Sequence, residues 1–202
     1  MTFRIEEKLY INKNQLTSFK EYLFTRSAKK IYKARKIESL YFDNIKYDMF
    51  NDSIEGIVPR KKIRIRNYPN NEDIKLYLEI KNSSVEGRFK TRKIINKKEN
   101  SNYSNIGYLD NQYGVCMPNY YIRYEREYFK KGDVRISIDT NLIYQDFKTK
   151  RFFYDDKVIV ELKTSISKNQ DDLIKDFPFQ RIRFSKYCYA VESLSTNHNT
   201  FL

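Results

Sequence analysis

Residues 59–96 read PRKKIRIRNYPNNEDIKLYLEIKNSSVEGRFKTRKIIN, and the alternation inside them sets the reading of the whole chain. Ile63 and Ile65 interleave with Lys62, Arg64 and Arg66, and Leu76, Leu78 and Ile80 interleave with Tyr77, Glu79 and Lys81. A period of two sends alternate side chains to opposite faces of a strand, so each segment predicts one charged face and one apolar face. YPNNED and NSSVEG between the segments read as hairpin connections.

The same pattern recurs in both directions. Strand-like segments cover about 3–11, 36–43, 59–68, 74–82, 87–96, 119–130, 133–140 and 157–164, which predicts eight strands. Leu16, Phe19 and Leu23 have helical spacing and predict an amphipathic helix over about 13–26. Weaker helical signals lie near 100–111, 169–176 and 184–194. The prediction is a mainly β (α+β) protein, antiparallel, with helices packed outside the strands. Eight antiparallel strands are enough to close into a barrel whose interior is filled by side chains or one small ligand.

Composition bounds the chemistry. The 202 residues, 40% hydrophobic and 16% aromatic, can build a real core, and the length suits one domain over 1–195 with a polar tail at 196–202. The single histidine, His198, falls in that tail, which leaves no histidine for a Ser-His-Asp triad or an HExxH zinc site. Five glycines form neither GxGxxG nor GxxxxGK[ST], so any phosphate must be held by side chains. Cys116 and Cys188 make no spaced pair and imply neither a disulfide framework nor zinc. No run of eighteen apolar residues occurs, and MTFRIEEKLY lacks a signal-peptide core. The chain is therefore expected in the cytoplasm, with no membrane segment of its own.

Net charge is +13, from 39 Lys+Arg against 26 Asp+Glu. Much of the excess sits on the polar faces of the predicted strands. Arg4, Glu6 and Lys8 share one face; so do Lys62, Arg64 and Arg66; Glu79 and Lys81; Arg88, Lys90 and Arg92. Tyr124 with Arg126, Arg135 with Asp139, and Glu161 with Lys163 follow. For one strand such a face reads as ordinary solvated sheet. Taken together the rows imply a polyanionic partner, because like charges opposite each other across strands are destabilising by part of a ~0.2–1 kcal/mol range. Guanidinium forks suit phosphate oxygens, and isolated carboxylates among them suit a hard divalent cation. Tyr41 and Phe42 of SLYFD read as packing residues rather than ligands.

RIEEKLYI, IESLYFDN, KIRIR, LYLEIK, YIRYEREYF, VRISIDT, VIVELKT and RFSKY occur in an order that resembles the catalytic domain of the vacuolar transporter chaperone (VTC) family. That family makes inorganic polyphosphate and belongs to the triphosphate tunnel metalloenzymes; the resemblance spans about 4–190. It implies a closed eight-stranded antiparallel tunnel with basic residues inside. It implies phosphate-handling, catalytic roles for Lys8, Arg64, Arg66, Lys81, Arg126 and Arg135, and phosphate binding by Lys90, Tyr124, Lys163, Ser185 and Lys186. Glu161 is the implied ligand of Mn²⁺ or Mg²⁺. Glu6 and Glu79 read equally as metal support or as structural ion pairs.

The expected function is polyphosphate polymerisation, moving the ATP γ-phosphate to a growing chain. Two alternatives stay open: a tunnel triphosphatase, and a non-catalytic polyphosphate-binding module. The expected partners are ATP and inorganic polyphosphate, with a separate membrane protein where export is involved. Nucleic acid is not among them, since no nucleic-acid motif is present and a nucleic-acid groove gains nothing from carboxylates in its arginine rows.

Overall fold

The computed structural model describes residues 4–165 and 170–195, so the 196–202 tail with His198 lies outside the described residues. Strand β1 (Arg4–Ile11) leads through a short 3-10 turn into helix α1 (Leu16–Thr25), then β2 (Lys29–Asp43), α2 (Asp48–Glu55), β3 (Arg60–Asn67), β4 (Leu76–Ser84) and β5 (Gly87–Ile95). Helix α3 (Lys97–Ile106), β6 (Tyr108–Asp110), β7 (Gly114–Lys131), β8 (Val134–Asp146), β9 (Phe152–Asp155), β10 (Val158–Ser165), α4 (Gln170–Asp176) and α5 (Lys186–Ser195) complete the order.

The ten strands form one sheet with the hydrogen-bonded order β1-β10-β8-β7-β2-β3-β4-β5; β6 pairs with β7 and β9 with β8 off that path. The eight strands on the path are the eight predicted segments. As observed, the path is open, beginning at β1 and ending at β5. The fold is thus a mainly β, antiparallel sheet with few helices. Sequence reading missed α2, β6 and β9, and it cut β2, β7 and β8 short.

Local chemistry accounts for the helix ends. Asn96 and Glu99 form a reciprocal capping box at the start of α3, satisfying two backbone donors that a helix N-terminus leaves open. Helix α3 ends at Gly107, whose φ of +87° suits glycine, and a Cβ there would lie 2.8 Å from the Cys116 carbonyl oxygen. The buried Asp43 carboxylate accepts from the Met49 and Phe50 amides at 3.0 Å each, capping α2 from the end of β2. Ser185 caps α5, its hydroxyl accepting from the Cys188 amide at 3.3 Å.

The chain divides into two compact units, and β2, β7 and β8 contribute residues to both. The first comprises 1–36, 124–142 and 154–184. Its core is the apolar face of β1, β8 and β10: Leu9, Ile11, Val134, Ile136, Ile138, Val158, Val160 and Leu162. Phe19 and Leu23 of α1 and Leu173 of α4 cover that face. The second unit comprises 37–123, 143–153 and 185–202. There Leu40, Phe42, Ile63, Ile65, Leu78 and Ile95 pack with Met49 of α2 and Cys116 of β7. In each unit the apolar stripe predicted by period two is buried under helices. That leaves the charged stripe on the opposite face.

Candidate functional site

Every predicted site residue falls on the charged face of one unit or at the start of α5. Lys8, Tyr124, Arg126, Arg135, Glu161 and Lys163 belong to the first unit; Arg64, Arg66, Lys81, Lys90, Ser185 and Lys186 belong to the second.

In the first unit, register does the assembling. Lys8 on β1 lies directly opposite Glu161 on β10, which lies opposite Ser137 on β8; Lys163 lies between Glu6 and Arg135 in the next such row. Residues directly opposite in an antiparallel pair share a face, so these side chains converge without any loop. Glu161 shares a hydrogen bond with Glu6, lies 3.5 Å from Arg126 and 3.3 Å from Lys163, and feels Lys8. Burial pushes its carboxyl up, but the Glu6 hydrogen bond and these cations outweigh it and hold Glu161 well below the usual carboxylate range. Arg126 is forked onto Asp139, Nε to Oδ1 at 2.5 Å and Nη2 to Oδ2 at 2.7 Å, with Asp139 fully buried. The Arg126 guanidinium also lies 5.3 Å from the Tyr124 ring centroid. Lys8 Nζ donates to the Phe184 carbonyl at 2.5 Å, and Arg135 is exposed.

The second unit carries a different balance. One row runs Tyr41, Arg64, Glu79, Arg92 across β2, β3, β4 and β5; the next runs Lys62, Lys81, Lys90 across β3, β4 and β5. Arg64 donates to Glu79 Oε2 through Nε at 2.9 Å and Nη2 at 2.7 Å. Lys90 lies 2.5 Å and Arg92 3.5 Å from Glu79 Oε1, and Arg66 lies 3.8 Å from Oε2. Burial of Glu79 raises its pKa, yet Arg64, Arg66 and Lys90 prevail and bring it down to about 2. It is an anion at any physiological pH. Glu79 is thus the shared counter-charge of the cluster, paired with Arg64, Arg66, Lys90 and Arg92. Lys62 donates to the Ser185 hydroxyl at 2.7 Å, and burial lowers its pKa. Lys186, at the start of α5, adds its charge near Tyr41.

The two charged faces are chemically unlike. The acidic residues Glu6, Asp139 and Glu161 stand among Lys8, Arg126, Arg135 and Lys163 in the first. In the second, Glu79 is the one carboxylate among the described residues of the rows that hold Lys62, Arg64, Arg66, Lys81, Lys90 and Arg92, with Lys186 nearby. Lysines held in register across three strands repel, and a bound polyanion relieves that repulsion. Sequence reading gave Asp139 no role beyond its row, although its placement two residues after Ser137 on the Arg135 face is the signal that puts it within reach of Arg126.

The sequence profile of the VTC domain matches residues 3–195. No curated protein matches the chain. Among solved structures, a candidate adenylate cyclase from Vibrio parahaemolyticus is similar at 12% identity with TM-score 0.57, covering 96% of this chain and 98% of that one. A candidate adenylate cyclase from Bacillus halodurans is similar at 10% identity and TM-score 0.59, with 95% and 97% covered. A protein of Pyrococcus horikoshii is similar at 15% identity and TM-score 0.57, with 95% and 99% covered. At these identities the likeness speaks for the fold alone.

Proposed function

Because the chain belongs to the VTC domain family, within the triphosphate tunnel superfamily, we propose that it is a polyphosphate polymerase that transfers the ATP γ-phosphoryl group to a growing inorganic polyphosphate chain. The observation that carries this reading is the charged face of the second unit, where the rows through Arg64 and Lys81 gather cations around the carboxylate of Glu79. Such a face is built for a chain of phosphates, each bringing negative charge at a short repeat.

Phosphoryl transfer asks mainly for positioning and for neutralisation of charge on the moving group. A terminal oxygen of the acceptor chain attacks Pγ, the bond from Pγ to the β,γ-bridging oxygen breaks, and ADP leaves. The attacking oxygen is already ionised near neutral pH, so no strong protein base is required. Arg64, Arg66, Lys81 and Lys90 grip non-bridging oxygens, Lys62 orients Ser185, and Lys186 adds charge at the start of α5. In the first unit Lys8, Arg126, Arg135 and Lys163 play the same part beside Tyr124. The closed eight-stranded tunnel belongs to this proposal; family membership and the opposed charged and apolar faces within each unit support it.

Enzymes of this superfamily depend on divalent metal. Glu161 fits a hard cation, being ionised and flanked by Glu6, and among the described residues no group of three His, Cys, Asp or Glu forms an all-protein cage. That donor set suits Mn²⁺ or Mg²⁺, which bind through one or two carboxylates and share the phosphates of a substrate. Such an ion would neutralise phosphate charge there; Arg126 and Lys163 hold the Glu161 carboxylate in place for it.

Among the described residues no helix is long and apolar enough to cross a membrane. Incubation with ATP and Mn²⁺, followed by gel analysis of the product, tests the reading. Polymer resistant to nuclease is the expected result. ADP and orthophosphate with no polymer would make the chain a triphosphatase, and no turnover with retained tripolyphosphate binding would make it a binding module.

A further inference from the structure

Tyr41 looks like a packing residue in the sequence, and its neighbour Phe42 is one, turned into the apolar core. Tyr41 faces the other way. The β2–β3 register sets it directly opposite Arg64, and Arg64 Nη1 donates to its hydroxyl at 2.8 Å. Its ring stacks on Tyr187 of α5, with centroids 5.4 Å apart and planes within 12°. Only 6% of the residue is exposed, so the ring has one available position. The hydroxyl oxygen is engaged as an acceptor, and among the described residues nothing accepts its proton. Buried phenols normally find such a partner, and a phenylalanine would pack here equally well.

Resting on the polymerase reading, we propose that the Tyr41 hydroxyl is a phosphate-binding group, donating its proton to a non-bridging oxygen of the phosphate chain that Arg64 holds. It adds a neutral donor beside the guanidinium groups of Arg64 and Arg66, and it makes the grip of the second unit sensitive to pH. The groups facing it are Lys62, Arg64 and Arg66 on β3 and Lys186 and Tyr187 on α5, with Glu79 on β4 neutralising part of Arg64. Burial by itself would raise the phenol, but Arg64, Arg66 and Lys186 outweigh it and bring Tyr41 down to about 8. Below that pH the phenol donates. Above it the phenolate has no proton to give and puts a negative charge among the cations that the substrate needs.

Calorimetric titration of the full chain with tripolyphosphate, at pH 7 and pH 9 and constant ionic strength, tests this on the wild type and Tyr41→Phe. The variant keeps the stacked ring and loses only the hydroxyl. Loss of a hydrogen bond to a charged group predicts about tenfold weaker binding by Tyr41→Phe at pH 7. Every other titratable group is shared by the two proteins, so the comparison isolates Tyr41: wild type is expected to lose several-fold more affinity than the variant on going to pH 9. Equal affinity and an equal pH course in the two proteins would overturn the Tyr41 assignment while leaving the polymerase reading intact. Failure of the wild type to bind tripolyphosphate at all would overturn both. Should Tyr41→Phe fold poorly, tyrosinate absorbance of the wild type gives a second readout: saturating tripolyphosphate should raise the lowest tyrosine midpoint by about one unit, by linkage. An unmoved midpoint would count against the assignment.

Discussion

Arg64→Ala is expected to lower turnover roughly 30- to 1000-fold while the protein stays folded. The range corresponds to loss of ~2–4 kcal/mol of transition-state stabilisation, the usual cost of removing one preorganised donor from a site of developing charge. Stability should hold because Glu79 keeps Lys90 at 2.5 Å and Arg92 at 3.5 Å, with Arg66 at 3.8 Å, after Arg64 is gone. The variant therefore removes a phosphate ligand without leaving a bare buried carboxylate. Steady-state kinetics with ATP, beside a melting curve, checks both halves. Turnover within threefold of wild type would remove Arg64 from the machinery.

The equivalent change at Arg126 has a different outcome. Asp139 has no solvent exposure, and Arg126 satisfies both of its oxygens. Arg126→Ala removes the guanidinium forked onto both oxygens of that buried carboxylate, and breaking one side of a buried pair costs ~3–5 kcal/mol. Glu161 loses a cation at 3.5 Å in the same step. For a chain of this size, each kcal/mol moves the melting temperature by about 2–4 °C. The variant should therefore melt ~10 °C or more below wild type. Adding Asp139→Asn should restore part of that loss, since an uncharged amide tolerates burial better than a carboxylate that has lost its guanidinium. An Arg126→Ala protein that melts within about 2 °C of wild type would mean that the pair is not a structural element.

These two arginines read alike in the sequence, each sitting in a short strand motif on a polar face. Alternation revealed the faces because burial of one side is what enforces period two, and most of the eight path strands bury at least one side; β5, which buries Ile95 alone, is the exception. Where both sides are exposed the signal fails: the first half of β2, Lys29–Lys36, is largely solvated and carries no apolar alternation, so the strand was read only from residue 36. Helix α2 was missed because it buries only Met49 and Ser53 and is held instead by the Asp43 cap, a contact from outside the helix. Strands β6 and β9, three and four residues long, are too short to show a period.

The site follows the same logic. That Arg64, Lys81 and Glu161 share rows with other charges is a property of spacing, legible along one strand. Which charge neutralises which is a property of register, since Glu79 meets Arg64 and Arg92 only because β3, β4 and β5 align. Tyr41 illustrates the limit. Its neighbours in sequence are apolar, and nothing local says that its hydroxyl meets a guanidinium on the next strand.

The central claim is that these charged faces bind a chain of phosphates. A ligand that binds only the folded protein stabilises it by about 2.7 kcal/mol at a hundredfold excess over Kd, or ~5–10 °C here. Thermal melting with tripolyphosphate and with sulfate at matched ionic strength measures this directly. The account predicts a shift of that size with tripolyphosphate and a far smaller one with sulfate; equal shifts would reduce the rows of arginine and lysine to loose surface charge.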